Sequence, residues 1–267
     1  MHFNVITLFP AMIHHAFKEG VIGQSITAEK VKIHTVNPRD FTHDVHHSVD
    51  DRPFGGGDGM VMMLEPLIRS LESLTTKGKV VYLSPQGRKW DDQTAREWAS
   101  RQEPVTLVCG RYAGVDQRFI NHYVDEEISI GDYVLSGGEL AALVMIDTVS
   151  RFIPEVLGNP DSACRDSFAQ GLLEAPVYTR PREHSLGVVP ATLLSGHHGR
   201  IHSYREALAL AVTALKRPDL LAKLNLPANP VRKAANELLA LSDDEIKSLG
   251  LSSSDLEILA EKLADKT

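Results

Sequence analysis

Two cysteines, Cys109 and Cys164, are all that the chain has, and they stand in no redox or metal-ligand spacing. This excludes a disulfide framework and fits a reducing compartment, with Cys109 reading as core. No apolar run approaches the roughly twenty residues that a membrane helix needs. The start, Met1–Pro10, reads as a buried strand rather than a charged and then apolar export signal, so a cytoplasmic, globular protein is expected. Positive charge is also short: 28 Lys and Arg against 35 Asp and Glu leave a formal net charge of −7. The molecule as a whole repels nucleic acid, and an RNA partner would have to be held by local basic patches. Two nucleotide-binding signatures are missing as well. No Gly-Lys-Ser/Thr follows the glycine cluster at Gly55–Gly59, and the Gly-x-Gly-x-x-Gly fingerprint is absent there. There is no internal repeat and no low-complexity segment.

What is present is enough apolar residue, 43% of 267, to bury a core in one large or two small domains. Phe3–Leu8 reads as a strand and Ala11–Lys18 as a helix, and Val31–Val36 is a strand stopped by Asn37-Pro38. Lys79–Leu83, Val105–Cys109 and Glu127–Ile130 are buried strands, with Asp92 placed to cap a helix over Gln93–Ser100. Leu140–Phe152 reads as a helix ended by Pro154, and it sets Asp147 and Arg151 one turn apart on one face. Gly158–Ala175 is polar and without period, as a long flexible connection would be. Beyond it lie a helical stretch from Ile201 to Lys216 and short helical periods to the end. The alternation predicts an α/β domain followed by a helical one. His43, His46 and His47 lie among acidic residues, but their spacing matches no familiar metal site, and a polar loop is the reading preferred.

Ile128–Leu143 is the stretch around which the rest is organised: strand, glycine-punctuated loop, apolar helix. Its loop could present unpaired backbone groups to a planar ring and cover the ring with Tyr133, Val134 and Leu135. Equally, its glycines could serve only tight packing at a strand–helix corner. The three central strands each end in a loop rich in glycine or proline, and such loops converge beyond the carboxyl ends of a parallel sheet. That favours a ligand pocket for a nucleotide-like guest.

Leu83-Ser84-Pro85-Gln86-Gly87, Cys109-Gly110-Arg111-Tyr112, Ile130-Gly131-Asp132-Tyr133-Val134-Leu135-Ser136-Gly137-Gly138-Glu139 and Asp166-Ser167-Phe168 occur in order. In their spacing the chain resembles the bacterial tRNA (guanine-N1)-methyltransferases. Asp51-Arg52-Pro53-Phe54-Gly55-Gly56-Gly57, Tyr178-Thr179-Arg180-Pro181 and Ser195-Gly196-His197-His198 add to the match, which covers roughly residues 1–220. The resemblance implies a knotted α/β methyltransferase domain of the SPOUT class, with a parallel sheet, over residues 1–160. A flexible linker over 161–175 and a helical, tRNA-binding C-terminal domain over 176–267 would follow, in a homodimer whose active site is shared between subunits. It implies S-adenosyl-methionine as methyl donor, held by Tyr82, Leu83, Ser84, Pro85, Gly110, Tyr112, Ile130, Gly131, Asp132, Tyr133, Val134, Leu135, Gly137 and Gly138. Mg2+ is an allowed addition. The methyl acceptor would be N1 of the guanine 3′ of the anticodon, position 37. Two positions depart from the family pattern: Ala113 replaces the glutamate of Gly-Arg-Tyr-Glu-Gly, and Asp58 stands where proline is usual.

Guanine N1 carries a proton at neutral pH, so its attack on a methyl group needs a base, and the charge that then spreads to O6 calls for a guanidinium. By motif position these are Asp166 and Arg151; on the residues alone, a turn-capping Asp166 and an Arg151 paired with Asp147 would serve as well. Because the chain is acidic overall, tRNA would dock on a few local cations, for which Arg165, Arg180, Arg182 and Arg200 are candidates. A ribose 2′-O-methyltransferase of the knotted class and a catalytically silent RNA-binding protein are the competing readings. The intact set of Arg151, Asp166 and all three loops argues against both.

Overall fold

A computed structural model describes residues 1–158, 162–224, 236–237, 240–252 and 254–255. The chain divides into two compact units, Met1–Ala163 and Cys164–Thr267.

The first unit is a parallel sheet of five strands in the order β2-β1-β6-β5-β7, formed by β1 (His2–Ile6), β2 (Lys32–Val36), β5 (Lys79–Lys89), β6 (Val105–Cys109) and β7 (Glu126–Ser129). Helices cover both faces, which is why β6 is buried along its whole length and is apolar but for Thr106, whose hydroxyl donates to Lys77 O. On one face α1 (Pro10–Ala16), α2 (Gly20–Thr27), α4 (Asp92–Arg101) and α6 (Glu139–Ser150) pack through Ile13, Ile22, Trp98, Met145 and Ile146. On the other, α3 (Leu64–Glu72) and α5 (Gln117–Tyr123) supply Leu67, Leu71 and Phe119. A two-residue hairpin, β3 (Asp50–Asp51) with β4 (Val61–Met62), stands outside the sheet.

Several sequence expectations shift in detail. Asp91, not Asp92, caps α4: its carboxylate accepts from the Thr94 N–H at 2.8 Å. β5 does not stop at Leu83. It leaves the ladder over residues 84–87 and rejoins it, so that Leu83 and Arg88 both pair with Ile128. Pro85 has no N–H to offer a ladder and suits this bulge. Gly87 is required at its exit, because a Cβ there would lie 2.3 Å from the Glu127 carbonyl carbon.

α7 (Ser162–Arg165) spans the boundary, and the second unit goes on through a tight turn to the hairpin β8 (Glu183–His184) with β9 (Gly187–Val188) and the helices α8 (Ala191–Leu194), α9 (His198–Lys216), α10 (Pro218–Lys223) and α11 (Asp243–Ser248). Tyr204, Leu208 and Ala211 of α9 form the centre of its core. Residues 166–175, read from sequence as part of a connection without period, are tied into this unit. Phe168 N–H donates to Leu172 O at 2.7 Å, and Leu173 N–H to the Thr213 hydroxyl at 2.8 Å. Among the described residues no helix is long and apolar enough to cross a membrane.

Candidate active site

The bulge within β5 and the carboxyl ends of β6 and β7 enclose a cavity of about 240 Å3. Every residue expected to hold the donor lines it except Asp132, which lies between the lining residues Gly131 and Tyr133. Residues 82–86 of β5 and its bulge are one wall, the loop after β6 (residues 110–114) a second, and the loop over residues 130–138 a third. Ile128, Leu135 and Ala141 give apolar surface, whereas Ser84, Gln86, Ser129 and Ser136 give polar groups. Among the described residues, the N–H groups of Val134 and Leu135 have no hydrogen-bond partner, so the third loop keeps donors for a guest. Ser129 holds that loop at its base, its hydroxyl donating to Gly131 O at 3.0 Å and accepting from the Gly131 N–H at 3.2 Å.

The packing reading of the glycines applies at the strand–helix corner. Gly137 and Gly138 serve packing, since a Cβ would lie 2.2 Å from Arg111 Nε at the first and 2.7 Å from Cys109 Cα at the second. This lets α6 start directly on the end of β6, with Gly138 N–H donating to Gly110 O at 3.0 Å. Gly110 lines the cavity and is closely packed too, since a Cβ there would meet the Tyr82 hydroxyl at 2.7 Å. Burial, with the Glu127 charge adding, raises the Tyr82 phenol, which stays a neutral donor at neutral pH. Burial likewise pushes the Cys109 thiol well up, with Glu139 adding and Arg111 opposing, so Cys109 remains a protonated core residue.

Arg111 is the residue that sequence reasoning passed over, although it belongs to one of the quoted motifs. It lines the cavity, and its Nη2 lies 2.9 Å from Oε2 of the fully buried Glu139. That oxygen makes no hydrogen bond among the described residues, so the contact is an ion pair. The Thr7 hydroxyl donates to Glu139 Oε1 at 2.8 Å. From the same guanidinium, Nη1 donates to Ser136 O at 3.1 Å, and Cζ stands 4.4 Å over the Phe9 ring. Thr7, Glu139, Arg111 and Ser136 thus chain the end of β1 to the third cavity loop.

The remaining candidates lie elsewhere. Arg151 caps the carboxyl end of α6 in the first unit and is exposed, its N–H donating to Asp147 O at 3.2 Å. Asp166 is in the second unit, half-buried, at the start of the turn that Phe168 completes with φ +74°. Arg165, Arg180, Arg182 and Arg200 are all exposed in that unit. In the polar loop Asp44 binds the N–H and hydroxyl of Ser48, and His47 meets Thr42 and the Arg39 carbonyl. Among the described residues no three His, Cys, Asp or Glu side chains gather as metal ligands would.

The family model described as tRNA (Guanine-1)-methyltransferase TrmD matches residues 1–223. Three curated proteins named tRNA (guanine-N(1)-)-methyltransferase are similar over most of the chain. That of Shewanella amazonensis is 50% identical over 252 residues, 93% of this chain and 98% of the relative. That of Actinobacillus succinogenes is 48% identical over 242 residues, 89% and 98%, and that of Shewanella baltica OS155 52% over 230 residues, 85% and 92%.

Proposed function

Since the chain belongs to the tRNA (guanine-1)-methyltransferase family, we propose that the cavity at the β5 bulge and the ends of β6 and β7 holds S-adenosyl-methionine, and that position 37, 3′ of the anticodon, is the guanine methylated. The chain is a tRNA (guanine-N1)-methyltransferase, with S-adenosyl-methionine as methyl donor and tRNA as substrate. Neither the ribose-methylating nor the silent reading finds support among the relatives.

The cavity itself carries the proposal. Its free backbone donors suit the edge of an adenine and its apolar wall the faces, while the three loops match the expected set residue for residue save Asp132. When bound, S-adenosyl-methionine supplies an electrophilic methyl on a sulfonium. The chain's own part is to deliver guanine N1 as a nucleophile. Asp166 takes the N1 proton, and Arg151 stabilises the charge on O6 through charge-assisted hydrogen bonds. Arg165, Arg180, Arg182 and Arg200 contact phosphates. The rest of the reading is a knotted, cytoplasmic homodimer with a shared site, a connection over 161–175 whose later part is bonded into the second unit, and a helical tRNA-binding domain over 176–267. Exposed Met12, Leu140 and Val144, on the neighbouring helices α1 and α6, support the pairing of subunits. Mg2+ is allowed in this scheme, and turnover after chelation and readdition tests it.

Incubation with labelled S-adenosyl-methionine and tRNA lacking the modification, followed by digestion, should yield N1-methylguanosine from position 37. A ribose methyl, or no label, would overturn the assignment. The phosphate contacts make a separate prediction. Binding should weaken with salt, log K falling by about 0.9 or less per phosphate neutralised, and Arg182→Glu should lower both affinity and slope. A variant with both intact removes Arg182 from the footprint.

A further inference from the structure

Phe54 is fully exposed, at the tip of the loop that joins β3 to β4. A phenyl ring held wholly in water gains nothing for the fold, since its stabilising value lies in burial. The glycines beside it are not explained by packing either. Gly55, Gly56 and Gly57 have φ of +86°, +78° and +120°, and a Cβ at any of them would meet nothing within 4 Å. They are required by the path of the backbone, which turns outward at an entropic cost.

The roots of this loop are fixed to the cavity. Ala113 N–H donates to Met60 O at 2.8 Å, Met62 N–H to Gly114 O at 2.9 Å and Asp116 N–H to Met62 O at 3.1 Å. Ala113 and Gly114 are cavity wall, so the hairpin stands on the rim of the pocket. Along the loop itself the charges are Asp50, Asp51 and Asp58 against Arg52, which makes the loop a poor place for a phosphate; Arg39 is turned to the Tyr112 hydroxyl and the His47 carbonyl. An uncharged π face is what such a position can accept.

We propose that Phe54 is a stacking platform for an unstacked nucleobase of the tRNA anticodon loop, held at the mouth of the cavity. Single-stranded loops are recognised through splayed bases stacked on aromatic side chains, and an enzyme that works on a base edge must take it out of its stack. The inference rests on the tRNA methyltransferase reading of the same cavity and names a residue that positions the substrate.

Phe54→Ala and Phe54→Trp in the full chain test it. The alanine variant should bind unmodified tRNA about tenfold to a hundredfold more weakly, with a matching rise in KM for tRNA. Its affinity for S-adenosyl-methionine and its salt slope should stay as in wild type, because no charge is removed. The tryptophan variant should recover tRNA affinity, and its added indole fluorescence should be quenched by tRNA beyond the response of Trp90 and Trp98. Wild-type tRNA affinity in Phe54→Ala overturns the proposal, as does an effect confined to sedimentation of the protein alone, which would make Phe54 a protein contact. If wild type methylates tRNA and Phe54→Ala is indifferent, only this inference falls. If wild type transfers no methyl to tRNA, both it and the reading beneath it fall.

Discussion

Asp166→Asn is expected to lower turnover about a hundred- to ten-thousand-fold while leaving the affinity for S-adenosyl-methionine as it was. The amide keeps the shape of the carboxylate and can still join a turn, but it cannot take the guanine N1 proton at neutral pH. The residues that line the cavity all lie in the first unit, whereas Asp166 belongs to the second. Binding and chemistry can therefore be read separately, by calorimetry and by single turnover. If Asp166 acts only in the transition state, kcat and kcat/KM fall together. A turn-capping Asp166 would instead lower the stability of the second unit, with turnover recovered at low temperature. Arg151→Ala should also slow the chemical step. The two variants together test the shared site of the proposed homodimer. If base and cation come from different subunits, mixing the two inactive variants under subunit exchange restores part of the activity. No recovery after proven exchange would assign both to one chain or discard one of them, and near-normal turnover by Asp166→Asn would sink the base assignment.

The parts of the fold that could be read in advance are those whose physics is local. β6 declares itself because a strand covered on both faces is almost wholly apolar, Thr106 being the exception, and the loops after β6 and β7 follow from where parallel strands must end. The bulge at residues 84–87 could not be read, because it is set by the register against β7, a strand distant in sequence. The β3–β4 hairpin has two residues per strand, too few for alternation to appear. Asp132 shows the limit of a motif: the expected set runs unbroken from Ile130 to Leu135, yet of residues 131–133 only Gly131 and Tyr133 line the cavity, while Ser136, outside that set, does. The pairing of Arg111 with Glu139 left a single trace, a glutamate directly after two glycines at the head of an apolar helix. Nothing local says that such a carboxylate is buried rather than solvated.

Glu139→Ala is expected to destabilise the first unit by about 3–5 kcal/mol, the cost of leaving one member of a buried ion pair uncompensated. Glu139 has no exposed surface, and both its oxygens are engaged, one by the Thr7 hydroxyl and one by Arg111. Its removal leaves the largely buried guanidinium of Arg111 without a carboxylate, and Arg111 can relax by turning into the cavity and letting go of Ser136 O. The loss should then reach the cavity, because Ser136 sits in the loop that contributes Gly131, Tyr133, Val134 and Leu135 to its wall. Urea midpoints measure the first effect and calorimetry with S-adenosyl-methionine the second. Glu139→Gln keeps an acceptor for Thr7 and loses only the charge, so it should fall between wild type and alanine. The double variant Glu139→Leu with Arg111→Met separates stability from positioning. Replacing a buried ion pair by apolar groups is often neutral or stabilising, so its urea midpoint should return toward wild type. Its affinity for the donor should remain low, because nothing then holds the Ser136 carbonyl. A Glu139→Ala protein with a wild-type midpoint would mean that water reaches the pair, and a double variant with full affinity would mean that the loop keeps its shape without Arg111.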